Sequence, residues 1–419
     1  PETRVDRVTL DVAFNAAEGE RWTGAFEITG LNREGIAVEA LSLEGGGRIS
    51  GGEKAEVLAD LTFDATDLDL GTEEAKAAVG ERVTGAANIV WATGEPLRVS
   101  NLTIEGETYR LTGQASVATS EDGLDIVGDA GVRASNLAVF SGLAGRALGG
   151  AVALDSRFDV KPLAGFFDIA VKGTTTGLVL DQPEADRVLA GEVRLDVAAA
   201  RDENGIRGTL TTLESPNASV TGQADLKTDT SSLTISARLS DAALVIPDIA
   251  GPVRLTASAD QDGDLWNWRA DGGLDGASVD LAGTATDIFG TPVIAASGTV
   301  AARDLSDFAG IARRDIAGAI DFRLSGEVVT DLSRADISLT GVATDLVTGV
   351  AEADRLLTGA VDVTLDGAIS DEVLSARRVL ISGQNIQLDA SGSLAPETGN
   401  VAASGRVASA SLLLEDAPD

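Results

Sequence analysis

The sequence predicts an all-β protein: a long, repetitive, mostly antiparallel sheet rolled into an elongated hydrophobic groove, with a few short helical turns. Three observations carry that expectation. Apolar and polar residues alternate over long runs, turn-forming residues separate the runs, and whole blocks recur at one fixed offset. A period of two marks strands with one apolar face, and polar Gly-containing pairs between such runs mark hairpins.

In chain order, Val8, Leu10, Val12 and Phe14 alternate with Thr9, Asp11 and Ala13 to give the first clear strand. The stretch from Gly45 to Lys54 resembles a phosphate loop, but its Lys does not directly follow the last Gly, so it reads as a Gly-rich hairpin connection. A loose helical block lies at Asp67-Leu68 and Glu73 to Arg82, closed by Gly85. Further turns are expected at Glu121-Asp122-Gly123, Glu203-Asn204-Gly205, Asp262-Gly263 and Asp271-Gly272-Gly273.

The repeat is clearest in the helical stretches. Asn136-Leu137, Phe140, Gly142, Arg146 and Gly150 line up with Asp304-Leu305, Phe308, Gly310, Arg314 and Gly318, each 168 positions later. Glu184 to Gly191 and Glu352 to Gly359 share that offset. The strands behind them do so too: Ala218, Val220, Ala224 and Leu226 fall on Ile386, Leu388, Gly392 and Leu394, Arg238 on Arg406, and Leu244 on Leu412. Each copy reads as an Asn/Asp-Leu turn, a short amphipathic helical turn, a Gly and then alternating strands. This predicts one continuous repeat array over residues 1–419, with copies at 1–135 (loose), 136–303 and 304–419 and no separate globular domain.

At about 10–14 residues per strand and turn, the chain holds on the order of 35 strands. So wide an apolar face cannot stay flat and exposed, and strand twist accumulates, so the sheet must roll with that face inward. Aromatic residues make up only 4%. The inward positions are Ala, Val, Leu, Ile and Gly, which leave space between facing walls and form a trough suited to acyl chains. Its lining is expected to include Val8, Leu10, Val12 and Phe14 early in the chain, and Val220, Ala224 and Leu226 in the middle. Val361, Val363, Leu365, Ile386, Leu388 and Leu394 extend it near the end. The same alternation arises where two walls pack dry, as in a β-solenoid or stacked sandwiches, so patterning leaves both arrangements open. A transmembrane barrel is disfavoured, because aromatic girdles and a set of long external loops are missing.

Composition narrows the function. With 66 acidic against 32 basic residues and a net charge of −34, the chain lacks the basic footprint a nucleic acid requires. It has no Cys and no His, which removes disulfides, zinc–thiolate sites, thiol chemistry and any Ser-His-Asp triad. No Gly-x-Ser-x-Gly elbow occurs. A non-enzyme without cofactor or metal is expected. Asp260, Asp262 and Asp264 alternate like part of a calcium loop, but the closing Glu is missing. Trp266 and Trp268 share a strand face and read as core or rim anchors. Asn101-Leu102-Thr103 and Asn217-Ala218-Ser219 match a glycosylation pattern, by coincidence within alternating strands. No run approaches the roughly 18 apolar residues of a membrane helix, and no Met is present, so the chain reads as a processed or excised piece.

At Asp304-Leu305 to Gly318-Ala-Ile-Asp321, at Asp345-Leu346 to Gly359-Ala-Val-Asp-Val363, and in the strand Asn385 to Leu394, the chain resembles the TamB family of the AsmA-like group of bacterial envelope proteins. The resemblance covers most of the chain and lies in repeat texture, with no catalytic residue to match. It implies a rolled sheet called a β-taco, in a protein anchored in the inner membrane of a Gram-negative bacterium and crossing the periplasm. It implies phospholipids as cargo, moved between the membranes. It also implies outer-membrane protein (autotransporter) assembly with a TamA-type, Omp85-like partner. The family's membrane anchor and C-terminal domain are missing from this sequence, which therefore reads as a middle segment whose partner contacts lie elsewhere. Two rivals remain: a scaffold or chaperone for nascent outer-membrane proteins by β-augmentation, and a dry-cored β-solenoid adhesin or autotransporter passenger.

Overall fold

The structure is a computed structural model that describes residues 3–120, 123–370, 372–409 and 412. Its 25 strands are hydrogen-bonded as one antiparallel sheet that stays open. The expected count of roughly 35 strands is too high. The strands run up to 15 residues, and many connections spend residues on helical turns. The chain divides into two compact units, Pro1–Ser219 and Val220–Asp419. That division does not fall at the copy boundary expected between 303 and 304.

The first unit contains β1 (Thr3–Arg4), β2 (Arg7–Asn15), β3 (Arg21–Arg33), β4 (Ile36–Ser50), β5 (Glu56–Thr66), α1 (Glu73–Val79), β6 (Arg82–Ala92), β7 (Leu97–Glu105) and β8 (Tyr109–Ser120). It continues with β9 (Gly123–Ala134), α2 (Ser141–Ala144), β10 (Gly149–Lys161), β11 (Phe166–Val179), α3 (Pro183–Val188), β12 (Glu192–Asp202) and β13 (Gly205–Glu214). Strands β1 and β2 share β3 as partner, and from β3 each strand pairs with the next in sequence.

The second unit holds most of β14 (Ala218–Leu226), then β15 (Ser232–Leu239), β16 (Val253–Asp262), β17 (Leu265–Leu274), β18 (Ala277–Thr286), β19 (Val293–Ala302), α4 (Ala309–Ala312) and β20 (Ala317–Val329). After these come β21 (Arg334–Val347), α5 (Ala351–Leu356), β22 (Ala360–Ser370), β23 (Val373–Gly383), β24 (Ile386–Leu394) and β25 (Gly399–Val407). Again each strand from β15 onward pairs antiparallel with its successor. Stacked solenoid coils would instead require parallel ladders.

A meander places all its odd-to-even connections at one end of the strands and all its even-to-odd connections at the other. In the first unit α1, α2 and α3 all fall in odd-to-even connections; in the second, the 3-10 turn Ala242–Leu244, α4 and α5 do the same. Each unit therefore has a helical margin and a margin of short connections, one of which, between β2 and β3, takes a 3-10 turn at Ala16–Glu18. The repeat is exact in structure: the bounds of β10, β11, α3 and β12 recur 168 positions later as β20, β21, α5 and β22. The loose copy belongs to the same scheme. Asp67, Gly177 and Asp345 all have positive φ, and each donates its N–H across the helical connection, to the carbonyls of Glu81, Gly191 and Gly359 at 2.7, 3.1 and 2.9 Å.

Most of the packed core sits at the helical margin, with Ala59 inside β5 and Ala335 at the start of β21 buried away from it. Val83, Val193 and Val361 are each the second residue of the strand that follows a helix, and all three are buried. Ala134 and Ala302, which end the strands before the Asn136 and Asp304 turns, are buried as well. Those turns are held by their own first residues: the Asn136 and Asp304 side chains accept from the N–H groups of Ala138 and Ser306 at 3.0 and 2.9 Å.

Three local expectations fail. Gly272 and Gly273 lie inside β17, and the chain reverses later, at Asp275-Gly276. Gly45, Gly46 and Gly47 lie inside β4, held by the ladders to β3 and β5, and a Cβ on Gly45 would stand 2.6 Å from the Leu61 side chain and 3.0 Å from the Trp22 ring. Only the residues after Ser50 form the hairpin. Asn217 lies in the turn before β14 and donates to the Arg187 carbonyl at 2.8 Å. In the turn expected at Glu121-Asp122-Gly123, residues 121 and 122 lie outside the described residues.

Candidate functional site

Residues directly opposite in neighbouring strands point to the same side, so the ladders carry one face from strand to strand. In the first unit Leu10 opposes Phe26, Phe26 opposes Leu43, and Leu43 opposes Phe63. Farther along, Val132, Leu154, Gly173 and Leu195 continue the row. In the second unit Val279 opposes Val300, Val300 opposes Phe322, and Leu324 opposes Leu339. Leu339 then opposes Leu365, and Val363 meets Ile381, which meets Leu388. Each unit thus carries one apolar face along its whole meander.

No second layer covers these faces among the described residues. Most of their side chains are half-exposed and few are buried. The accessible surface is 24,994 Å², whereas a compact protein of 42.6 kDa exposes roughly 15,100 Å². Large exposures occur on the hairpins, at Leu163 (78%) and Phe289 (95%), and within the end strands, at Val401 (76%) of β25 and Leu10 (68%) of β2. In the second unit the face deepens into a cavity of about 460 Å³ against the helical margin. Leu255, Leu274, Val279 and Val300 line it, and Leu305 and Phe308 of the 3-10 turn Leu305–Phe308 close it off.

The expected groove residues fall on these faces, with one exception. Val8, Leu10, Val12 and Phe14 are all exposed along β2. In β14, Val220 and Ala224 are half-buried and Leu226 is exposed. Val363, Ile386 and Leu388 are half-buried and share a face with the exposed Leu365 and Leu394. Val361 is the correction: it is fully enclosed (0% exposed) between Ala343 and Gly383 beside α5, so no ligand can touch it. Alternation places Val361 on the apolar side but does not reveal that the α5 connection plugs that end. The four tryptophans, Trp22, Trp91, Trp266 and Trp268, all lie on the apolar faces, through their partners Phe14, Val57, Ala285 and Gly283. Sequence reading placed Trp266 and Trp268 together; the same period of two would have placed Trp22 and Trp91.

The opposite faces are polar and tied by ion pairs. Arg377 bridges Asp336 at 2.7 Å and Asp366, and these bonds raise the Arg377 pKa and hold Asp336 below the usual carboxylate range. Arg82 binds Asp64 across two strands, which lowers Asp64 in the same way. A second concavity of about 620 Å³ opens on the polar side of β2 to β6, beside Asp11, Glu44 and Asp60. Asp262 and Asp264 flank the β16–β17 hairpin, and among the described residues no group of three Asp, Glu, His or Cys could hold a metal ion. Asn101 takes a positive φ at an irregular point of β7 and donates to Asn88 at 2.7 Å. No helix among the described residues is long and apolar enough to cross a membrane.

No family model, no curated protein and no solved structure matches the chain.

Proposed function

We propose that this chain is a segment of a TamB-like periplasmic bridge, holding phospholipid acyl chains along the apolar face of each unit for transport between the inner and outer membranes. One observation carries the reading: a continuous apolar face, mostly aliphatic with scattered Phe and Trp, left uncovered along each meander among the described residues. Apolar area removed from water is worth about 25 cal/mol per Å², so a face of this kind is stabilised by an apolar occupant. No reacting group is needed, and the contribution is a path rather than chemistry.

Native mass spectrometry of the detergent-free protein, before and after incubation with phospholipid vesicles, tests the reading. More than one phospholipid per chain is expected. A clean apo mass after incubation refutes it. The scaffold reading draws on a different observation: among the described residues β2 pairs only with β3 and β25 only with β24, leaving strand edges open to an incoming strand. Under that reading the same spectra carry peptide in place of lipid. The antiparallel meander and the uncovered face weigh against a dry-cored solenoid adhesin.

A further inference from the structure

Among the described residues the end strands β2 and β25 each lack a neighbour on one side. Every residue of β2 is exposed, and so is every residue of β25 except Val407. Neither strand contains a Pro or a Lys, the residues that commonly blunt a free edge.

The ladders determine which backbone groups the two edges leave unpaired, because bonded and non-bonded pairs alternate along an antiparallel ladder. Ala408 donates its N–H to the Asn385 carbonyl at 3.0 Å, and Ala395 donates to the Thr398 carbonyl at 2.7 Å. Between these points Asn400, Ala402, Ser404 and Arg406 bond to β24. Val401, Ala403, Gly405 and Val407 therefore turn their N–H and C=O groups to the open edge. At the other end Ile49 donates to the Glu20 carbonyl at 3.0 Å, so Trp22, Gly24 and Phe26 bond to β4, and Thr23, Ala25 and Glu27 bond to β2. That leaves Val8, Leu10, Val12 and Phe14 with the free backbone groups of β2. On both edges the unpaired groups belong to residues of the apolar face.

We propose that β25 of one copy pairs antiparallel with β2 of a second copy, with Val407 opposite Leu10, Gly405 opposite Val12 and Ala403 opposite Phe14. Size and charge favour this register. The large side chains of β2 meet the small ones of β25, and on the polar face Arg406 stands opposite Asp11. Among the described residues neither Asp11 nor Arg406 has an ion-pair partner in its own copy. Pairing β2 with β2 would set large side chains against large ones, and pairing β25 with β25 would bury little. The contact is heterologous, so a free β2 remains on one copy and a free β25 on the other, and growth continues past the dimer. The apolar face runs on across each junction. This inference goes beyond the lipid-holding reading and does not depend on it.

The chain has no Cys, so single introduced cysteines report the junction. Ala13 and Ser404 fall opposite each other at a non-bonded pair, where Cα atoms lie about 4.5 Å apart, within reach of a disulfide. Ala13→Cys chains mixed with Ser404→Cys chains under mild oxidation should give a disulfide-linked dimer containing one of each. Neither variant alone should cross-link. Sedimentation velocity of the unaltered chain at roughly 1–100 μM should show mass growing past the dimer. Asp11→Arg should weaken the association about two- to fivefold, and adding Arg406→Asp to the same chain should restore it. A monomer at every concentration, growth that stops at the dimer, or cross-linking within one variant alone overturns the proposed pairing.

Discussion

Thr175 shows what a single atom does in the helical margin. Its hydroxyl is buried without a hydrogen-bond partner, opposite Val193. The corresponding pairs in the other copies are Ala65 with Val83 and Ala343 with Val361, which bury no polar atom. Thr175→Val keeps the shape and removes the orphaned hydroxyl, so it should stabilise the fold by about 1–2 kcal/mol, read as a higher urea midpoint. An unchanged or lower midpoint would show that the hydroxyl is satisfied. Asp354 shows the opposite case. Its carboxylate accepts from the Thr348 N–H at 2.6 Å and the Thr348 hydroxyl at 2.8 Å, and these bonds, the backbone one foremost, lower its pKa. A carboxyl with a lowered folded pKa contributes stability above its unfolded pKa and loses it as pH falls through the folded value. Asp354→Ala should therefore lower Tm at pH 7, and the gap to the unaltered chain should close as the pH drops below about 3.9. A gap independent of pH would exclude the ionised carboxylate as its source.

Among the elements, the glycine that opens β10 and β20 is the most exacting. Gly318 breaks the register with β21 at a φ of +97°, where an added Cβ would lie 2.5 Å from the Asp345 carbonyl oxygen. Gly150 does the same in β10, 168 positions earlier. Gly318→Ala should cost about 1–3 kcal/mol, measured by chemical denaturation, and a neutral result would mean that the bulge is not required. Gly150, Gly318 and the Asn136 and Asp304 turns were legible because the whole block recurs at one spacing. Gly272-Gly273 was not, since two glycines after an Asp spell a turn locally, while the ladders to β16 and β18 draw them into a strand. Val361 was legible as apolar and facing inward. Its burial was not, because a period of two gives the face of a residue and says nothing of a helical connection folded over the end of the strand.

At the scale of each whole unit, sequence alternation translates into a face that its own chain leaves open, which the count of hydrophobic residues alone does not reveal. Trough and dry core share the same pattern; they differ in how much apolar area stays exposed, and that appears only once the strands are in register. A charge on this face is costly to bury against an apolar occupant. Leu388→Asp, in the row with Val363 and Ile381, should therefore reduce bound phospholipid in extracts of the purified chain. Full occupancy in that variant would mean that lipid lies elsewhere.

Acyl chains lying directly on these faces would meet the chain's own reporters, since all four tryptophans sit there. Intrinsic fluorescence should be measured after loading with phospholipids brominated along their acyl chains, against the same lipids without bromine. Strong quenching by the brominated lipids, weakened by Leu388→Asp in proportion to lost occupancy, is the expected result. Bound lipid with undiminished tryptophan emission would mean that lipid is held away from the apolar faces and that they are not the acyl-chain path.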